Sequence, residues 1–233
     1  MFLTPKELQK LCQTQKSIAL NIENLPHNWM SILAESSLKS LTLTGEYFFS
    51  SSQAIEFFKT KHDWESLNFS EVFIPLSLPV LEVLRCCQNL TTFNVPFTLD
   101  LYDINGEQLT STVIAKTITY MSKLQSLELY NAPMYPEDIE TICKYCPFLT
   151  SLKVYEIEGN FDAWATILLK SKQQWKHLNL FPANASIQTI QRLCTIPTLQ
   201  SLKIRLENDA GLDWHAMLEK LKISYPNITI QIQ

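Results

Sequence analysis

The chain has 233 residues, of which 46% are hydrophobic and 18% charged, and its formal net charge is −4. This length and apolar content predict a folded array with a continuous core, and the acidic balance argues against a nucleic acid or an anionic membrane as partner. The four glycines, Gly45, Gly106, Gly159 and Gly211, lie too far apart to form a dinucleotide-binding or Walker A glycine loop, which excludes those two enzyme classes.

The first segment, MFLTPKELQKLC, predicts a capping helix. Thr4, Pro5 and Glu7 have the spacing of a capping box with proline at the first helical position, so a helix is expected from Pro5 to Cys12. We assign residues 1–16 to this N-terminal cap and residues 17–233 to one continuous repeat domain. The segment lacks the basic start and apolar run of a secretory signal, which favours a reducing compartment of the cytoplasmic type.

A six-residue pattern, with apolar residues at its first, fourth and sixth positions, recurs along the chain. It appears as LKSLTL, WESLNF, LTTFNV, LQSLEL, LTSLKV, WKHLNL and LQSLKI, with weaker copies at Leu20/Ile22 and Ile228/Ile230. The central apolar residues are 21 to 26 residues apart, except for an interval of 34 between Phe93 and Leu127. This period indicates a solenoid of about nine coils, each contributing one short strand.

Each interval between these strands is predicted to contain a helix, with apolar residues three and four positions apart. The predicted helices are Ser52–Lys61, Ser77–Cys87, Gln108–Met121, Pro136–Cys146, Asp162–Ser171, Ser186–Cys194 and Leu212–Leu221. Strands alternating with helices at this period predict an α/β fold with a parallel sheet on one side and helices on the other. The expected architecture is an open, right-handed α/β solenoid.

The stretch CKYCPFLTSLKV, from Cys143 to Val154, resembles the C-P-x-L-x-x-L-x-L core of cysteine-containing leucine-rich repeats. Partial matches occur in CQNLTTFNV, TIPTLQSLKI and SYPNITI, and the resemblance covers about residues 15 to 232. Over that length the chain is similar to the leucine-rich repeat family, in its cysteine-containing and ribonuclease-inhibitor-like subclasses. The resemblance implies a curved parallel sheet on a concave face and helices on the convex face.

The chain departs from the family at the turn that follows each strand. The asparagine or cysteine that the family often has there is replaced by Val72, Ala132, Ile157 and Ala183. We therefore expect these turns to be held by packing, which favours the longer, helix-backed repeats.

The resemblance also implies a function, because members of this family act mostly as protein-recognition scaffolds. Some are effectors that intracellular bacteria deliver into host cells, which would mean secretion without a cleaved signal, and others are substrate receptors of ubiquitin ligases. The segment LPHNWMSIL is similar to the opening of an F-box, but the flanking repeat strands leave no room for a three-helix domain. A third alternative is a structural or oligomerising repeat protein that pairs through the strand from Ile228 to Ile232; a monomer is otherwise expected.

In the repeat pattern, the residue between the last two apolar positions and the residue just after them point to the concave face. The candidate partner-binding residues on that face are Tyr130, Tyr155, Phe181, Arg205, Phe97, Glu128, Lys153, Asn179 and Lys203. Aromatic and arginine side chains dominate binding hot spots, so this face is predicted to bind a protein partner. Two alternatives are open: stacking of the aromatic rings on one another without a partner, and steering of an acidic partner by Lys153 and Lys203.

The remaining residue patterns do not favour an enzyme or a metal site. Cys143 and Cys146 form a single C-x-x-C pair, and the four histidines lie in different coils. The excursion Thr98–Thr110 contains Asp103, Asn105 and Gly106, but it matches only part of a calcium loop. We therefore expect no catalytic residues, no cofactor and no metal, and six reduced cysteines that serve the core.

Overall fold

The computed structural model describes residues 2–75, 77–98, 111–130, 132–182, 184–205 and 214–232. The helices are α1 Pro5–Thr14, α2 Trp29–Ala34, α3 Ser51–Thr60, α4 Leu78–Leu84, α5 Ser111–Ile118, α6 Pro136–Tyr145, α7 Phe161–Lys170, α8 Ile187–Cys194 and α9 Trp214–Ser224. The strands are β1 Ser17–Asn21, β2 Ser40–Phe48, β3 Ser66–Pro75, β4 Thr92–Asn94, β5 Phe97–Thr98, β6 Ser126–Leu129, β7 Ser151–Ile157, β8 His177–Pro182, β9 Ser201–Ile204 and β10 Thr229–Ile232.

Nine of these strands form one parallel sheet that follows chain order. The order is β1-β2-β3-β4-β6-β7-β8-β9-β10, and the short β5 pairs with the end of β3. Because β1 and β10 lie at opposite ends of that order, the sheet is open. Each helix from α1 to α7 contacts the next one along the chain, so they form a single layer. The predicted α/β solenoid of about nine coils is confirmed.

The repeat pattern places one apolar side chain from each coil in a continuous file, which is buried except at Ile18, where the side chain is half-buried. The file consists of Ile18, Leu41, Leu67, Phe93, Leu127, Leu152, Leu178, Leu202 and Ile230, which are paired strand to strand. Burial of each such side chain contributes about 1.5–3 kcal/mol. Repetition of one inward position therefore supplies both the register of the sheet and much of its core.

The N-terminal helix begins as the sequence predicts. The Thr4 hydroxyl accepts the Glu7 N–H at 3.3 Å, and the Thr4 N–H donates to the Glu7 carboxylate at 2.8 Å, which completes the capping box. Leu8 and Cys12 are buried in the hydrophobic core, and the helix continues two residues past Cys12 to Thr14. Helix α1 packs against α2.

Two features near the first coil differ from the prediction. Ile18 pairs with Leu41 and Leu20 with Leu43, so the first copy of the pattern begins two residues earlier than predicted. Ile22 lies in a short 3-10 turn instead of the strand. Helix α2 was not among the predicted helices, because its six residues bury only Trp29 and Leu33 and show little periodicity.

The last strand is also displaced from its predicted alignment by two residues. Ile230 pairs with Leu202 and Ile232 with Ile204, so Ile228 precedes the strand. A shift of two residues keeps the same side chains on the same face of a strand, which is why alternation alone did not fix the register at either end.

Of the residues predicted to lie in the turns after the strands, Val72 lies within β3, Ile157 is the last residue of β7, and Ala132 follows β6. Val72 and Ala132 are fully buried and Ile157 is nearly so. Ala183, the residues 99–110 of the predicted excursion with its partial calcium loop, and the predicted helix starts at Gln108 and Leu212 lie outside the described residues.

Candidate functional site

The open face of the sheet, opposite the helices, carries a file of polar side chains at the position between the two inward residues of each coil. Its central members are Asn94, Glu128, Lys153, Asn179 and Lys203, each paired with the next on the neighbouring strand. All five are half-buried, and the residues directly before and after each of them in the chain are buried in the core. Glu128, Lys153, Asn179 and Lys203 therefore lie at alternate, outward-facing positions of their strands.

Three rings on the same face form a continuous aromatic row: Tyr130, Tyr155 and Phe181. The centroids of Tyr130 and Tyr155 are 4.5 Å apart in an edge-to-face contact at 77°, and those of Tyr155 and Phe181 are 4.5 Å apart at 25°. The guanidinium of the exposed Arg205 lies 5.9 Å from the Phe181 ring centre. The aromatic row extends from the end of β6 to β8, Arg205 follows β9, and Tyr130 is 37% exposed.

A compact polar network joins the aromatic row to the polar file. Lys153 Nζ lies 2.7 Å from Glu128 Oε1, and the Tyr155 hydroxyl donates to the same oxygen at 3.1 Å. Burial alone would lower the pKa of Lys153, but its interactions with Glu128 and Tyr155 outweigh burial and raise that pKa. Burial raises the pKa of the Tyr155 hydroxyl. At neutral pH, Lys153 is therefore charged and Tyr155 remains a hydrogen-bond donor.

A groove of about 500 Å³ opens on this face beside the aromatic row, between β3 and β7. Its lining includes Glu71 and Phe73 from β3, Pro96 after β4, and the Tyr130 and Tyr155 rings. The flanking strands β3 and β7 have 10 and 7 residues, whereas β4 and β6 between them have 3 and 4. The groove lies where the two short strands end and the two long ones continue.

A bulge in the sheet builds the wall of the groove opposite the aromatic row. The register shifts between Thr44 and Tyr47, so Gly45 and Glu46 on β2 lie opposite Glu71 on β3. Bulges of this kind re-aim the side chains that follow. Beyond it Val72 is buried, and Phe73 faces outward, where its ring stacks on Phe48 at 4.8 Å and 10°.

The sequence did not indicate Phe48, Glu71 and Phe73 as candidate site residues. In the structure Phe48 is 56% exposed. They lie after the six-residue pattern, and the bulge interrupts the alternation on which the predicted columns depend. The consecutive aromatic residues in EYFFS were the available signal.

The predicted placement of Phe97 on the binding face is wrong. Phe97 is buried, and its ring centroid lies 6.2 Å from that of Phe93 in the core. Phe93, Val95 and Phe97 keep the inward alternation of an extended chain through Pro96, which directs the Phe97 ring toward the helices. Phe97 is therefore excluded from the candidate site.

The cysteines lie mainly in the helical side of the core. All six are free; Cys12, Cys87, Cys146 and Cys194 are buried, Cys143 is half-buried and Cys86 is exposed. Burial raises the pKa of the Cys87, Cys143 and Cys146 thiols to about 12 and that of Cys194 to about 11. At neutral pH these four thiols are protonated and poor nucleophiles.

This arrangement predicts selective alkylation of the native chain. At pH 8, iodoacetamide is expected to modify the exposed Cys86 fastest, because the buried thiols combine a raised pKa with poor access. Peptide mass spectrometry after short pulses measures the rate at each site, and a urea-unfolded sample, in which all six should react alike, is the control. Modification of native Cys146 as fast as Cys86 would contradict the buried placement.

The described part of the chain contains neither a metal-binding cluster nor a membrane-spanning helix. No group of three or more His, Cys, Asp or Glu side chains there is close enough to hold a metal ion. Among the same residues, no helix has the length and apolar character needed to cross a bilayer.

Comparison with known proteins gives no family assignment. No protein-family model matches the chain, and a search of curated proteins finds no match. The resemblance to leucine-rich repeats therefore depends on the repeated pattern of the sequence itself.

Proposed function

We propose that this chain is a protein-recognition module of the leucine-rich-repeat type, which binds a partner protein through the open face of its sheet. The observation that carries the proposal is the aromatic row beside the groove. Its rings are aligned across neighbouring strands and continue into Arg205. Aromatic and arginine side chains bury a large area on binding at a small cost in side-chain entropy, so they dominate the energetics of protein interfaces.

Stacking within the sheet explains part of the aromatic row but not the whole surface. A ring pair contributes about 0.5–1.5 kcal/mol to stability without any partner. However, the Phe48 and Phe73 pair forms a second exposed aromatic surface on the other side of the groove. Aromatic side chains on both sides of one groove favour binding of a partner over a role that is limited to stabilising neighbouring strands.

The proposal is tested by affinity capture from cell lysate with the chain and two triple variants. The first replaces Tyr130, Tyr155 and Phe181 with alanine. The second, a matched control, replaces the exposed Tyr120, Tyr145 and Phe148 with alanine. These residues lie at the end of α6 or just after α5 and α6. Circular dichroism establishes that both variants are folded.

We expect the native chain and the control to retain a common partner, and the aromatic-row variant to bind that partner at least about 100-fold more weakly. The loss corresponds to three side chains that each contribute about 1 kcal/mol or more. Equal capture by both triple variants would remove the open face as the binding surface.

A second candidate function, self-assembly through β10, is favoured by one observation. Within the described ranges β10 pairs on one side only, with β9, and Thr229 and Gln231 on it are exposed. An unpaired strand edge is a template for strand addition. Light scattering across a concentration series distinguishes the two: a constant monomer mass supports recognition, and a mass that rises with concentration supports assembly.

A further inference from the structure

We propose that the groove accepts an arginine or lysine side chain from an extended segment of the partner, with Glu71 as its counter-ion. This inference rests on the proposed function and specifies the chemistry of the partner. It follows from three properties of the groove: its aromatic walls, its charge balance and the backbone of β3.

The walls of the groove suit a cation because they present aromatic rings. Phe73, supported by its stack on Phe48, lines one side, and Tyr130 and Tyr155 line the other. The faces of aromatic rings attract ammonium and guanidinium groups, and guanidinium also stacks on them. The same contact already occurs in this sheet, where Lys153 lies 4.7 Å from the Tyr155 ring centre.

Among the described residues, the charge balance of the groove leaves one carboxylate without an ion-pair partner. Three of the lining side chains carry a charge at neutral pH: Glu71, Glu128 and Lys153. Glu128 and Lys153 neutralise each other at 2.7 Å, whereas none of the ion pairs found among the described residues includes Glu71. The groove therefore has a net negative charge, which a cationic side chain would complement.

The backbone holds Glu71 at the groove in an unusual conformation. Its φ is 61°, the one positive value at a non-glycine position in the part of the chain that the structure describes. A side chain in the left-handed region is energetically unfavourable, and such residues concentrate at functional sites. At the bulge the Glu71 side chain is exposed on the open face, and the next side chain, Val72, is buried in the core.

Other occupants fit the groove less well. An acidic side chain would be repelled by Glu71 and would find Lys153 already paired with Glu128. An apolar side chain would cover Glu71 without supplying a hydrogen-bond or charge partner, which is unfavourable. A cationic side chain satisfies the carboxylate and the aromatic walls together.

The test uses the full chain, immobilised, and four pools of degenerate heptapeptides whose central residue is fixed as Arg, Lys, Gln or Glu. We expect the Arg and Lys pools to be retained about fivefold more than the Gln and Glu pools at 0.1 M salt, and less at 1 M salt, because the ion pair is screened. Glu71→Gln should abolish the preference and Glu71→Lys should shift it to the Glu pool. Glu65→Gln, an exposed change just before the same strand, is the matched control and should retain the preference.

Equal retention of the four pools by the native chain, or a preference for the Glu pool, would overturn the inference. An unchanged thermal midpoint establishes that each Glu71 variant is folded. Failure here is distinct from failure of the proposed function. If Glu71→Lys captures the lysate partner normally while the aromatic-row variant loses it, recognition stands and the cationic occupant is wrong.

Discussion

Replacement of Trp164 by alanine is expected to lower the free energy of unfolding by about 3–5 kcal/mol. Trp164 is 0% exposed in the middle of α7, and its indole N–H donates to the Glu158 carbonyl at 3.3 Å. Helix α7 packs against α6 on one side and α8 on the other. The variant therefore leaves a large cavity between coils and removes a buried hydrogen bond.

The effect of this cavity should extend beyond its own coil. In a solenoid each repeat is stabilised mainly by its neighbours, so weakening an internal repeat lowers the cooperativity of the whole array. Urea unfolding followed by circular dichroism measures the change. Phe148→Ala, at a ring that is 61% exposed, is the control and should change stability by less than about 0.5 kcal/mol. Equal destabilisation by the two variants would contradict the assignment of Trp164 to the core.

The sequence was sufficient to predict the central coils because several independent signals agreed there. From β2 to β9 the apolar positions recur at nearly constant spacing, apart from the longer interval between β4 and β6, and each pattern is followed by a helix with its own apolar face. A one-residue error in any of these strands would expose its leucines. The same alternation correctly placed Tyr130, Tyr155 and Phe181 on the open face.

The sequence was insufficient where that alternation was ambiguous or interrupted. Both terminal strands tolerate a shift of two residues, because Leu20 or Ile18, and Ile228 or Ile230, are all apolar. Phe97 was misplaced because nothing in the sequence shows that the inward alternation continues through Pro96.

The groove depends on features that the repeat pattern does not encode. Its depth reflects the different lengths of β3, β4, β6 and β7, and its second wall depends on the bulge at Glu71. Strand length and bulge position are set by contacts between neighbouring coils. For this reason half of the candidate site, the aromatic row, could be predicted, and the facing half could not.

A buried cation near the second and third coils gives the other large expected effect. Lys61 is 5% exposed; its ammonium donates to the Ser36 carbonyl at 3.0 Å and to Asp63 at 2.8 Å. It also lies 4.9 Å from the Trp64 ring centre. Asp63 is half-exposed and forms a second ion pair with Lys39.

Lys61→Met is expected to destabilise the chain by about 2 kcal/mol at pH 7, because it keeps the aliphatic packing but leaves the Ser36 carbonyl and one Asp63 oxygen without a donor. Lys39→Met removes the more exposed cation from the same carboxylate and should cost less than about 1 kcal/mol. Urea unfolding of the two variants measures the difference. A larger effect for Lys39→Met would show that Asp63 depends mainly on the exposed pair.

The pH dependence of the Lys61→Met effect provides a sharper test of the ion pair. Burial alone would raise the pKa of the Asp63 carboxyl, but hydrogen bonds from Lys39 and Lys61 outweigh burial and lower that pKa to about 2. A carboxyl whose pKa is lower in the folded than in the unfolded chain, where it is about 3.9, stabilises the fold above the unfolded value. That stabilisation is lost as the pH falls through the folded pKa, so the difference between the native chain and Lys61→Met should shrink between about pH 4 and pH 2. A difference that stays constant over this range would show that Lys61 acts through the Ser36 carbonyl and packing, and not through the Asp63 charge.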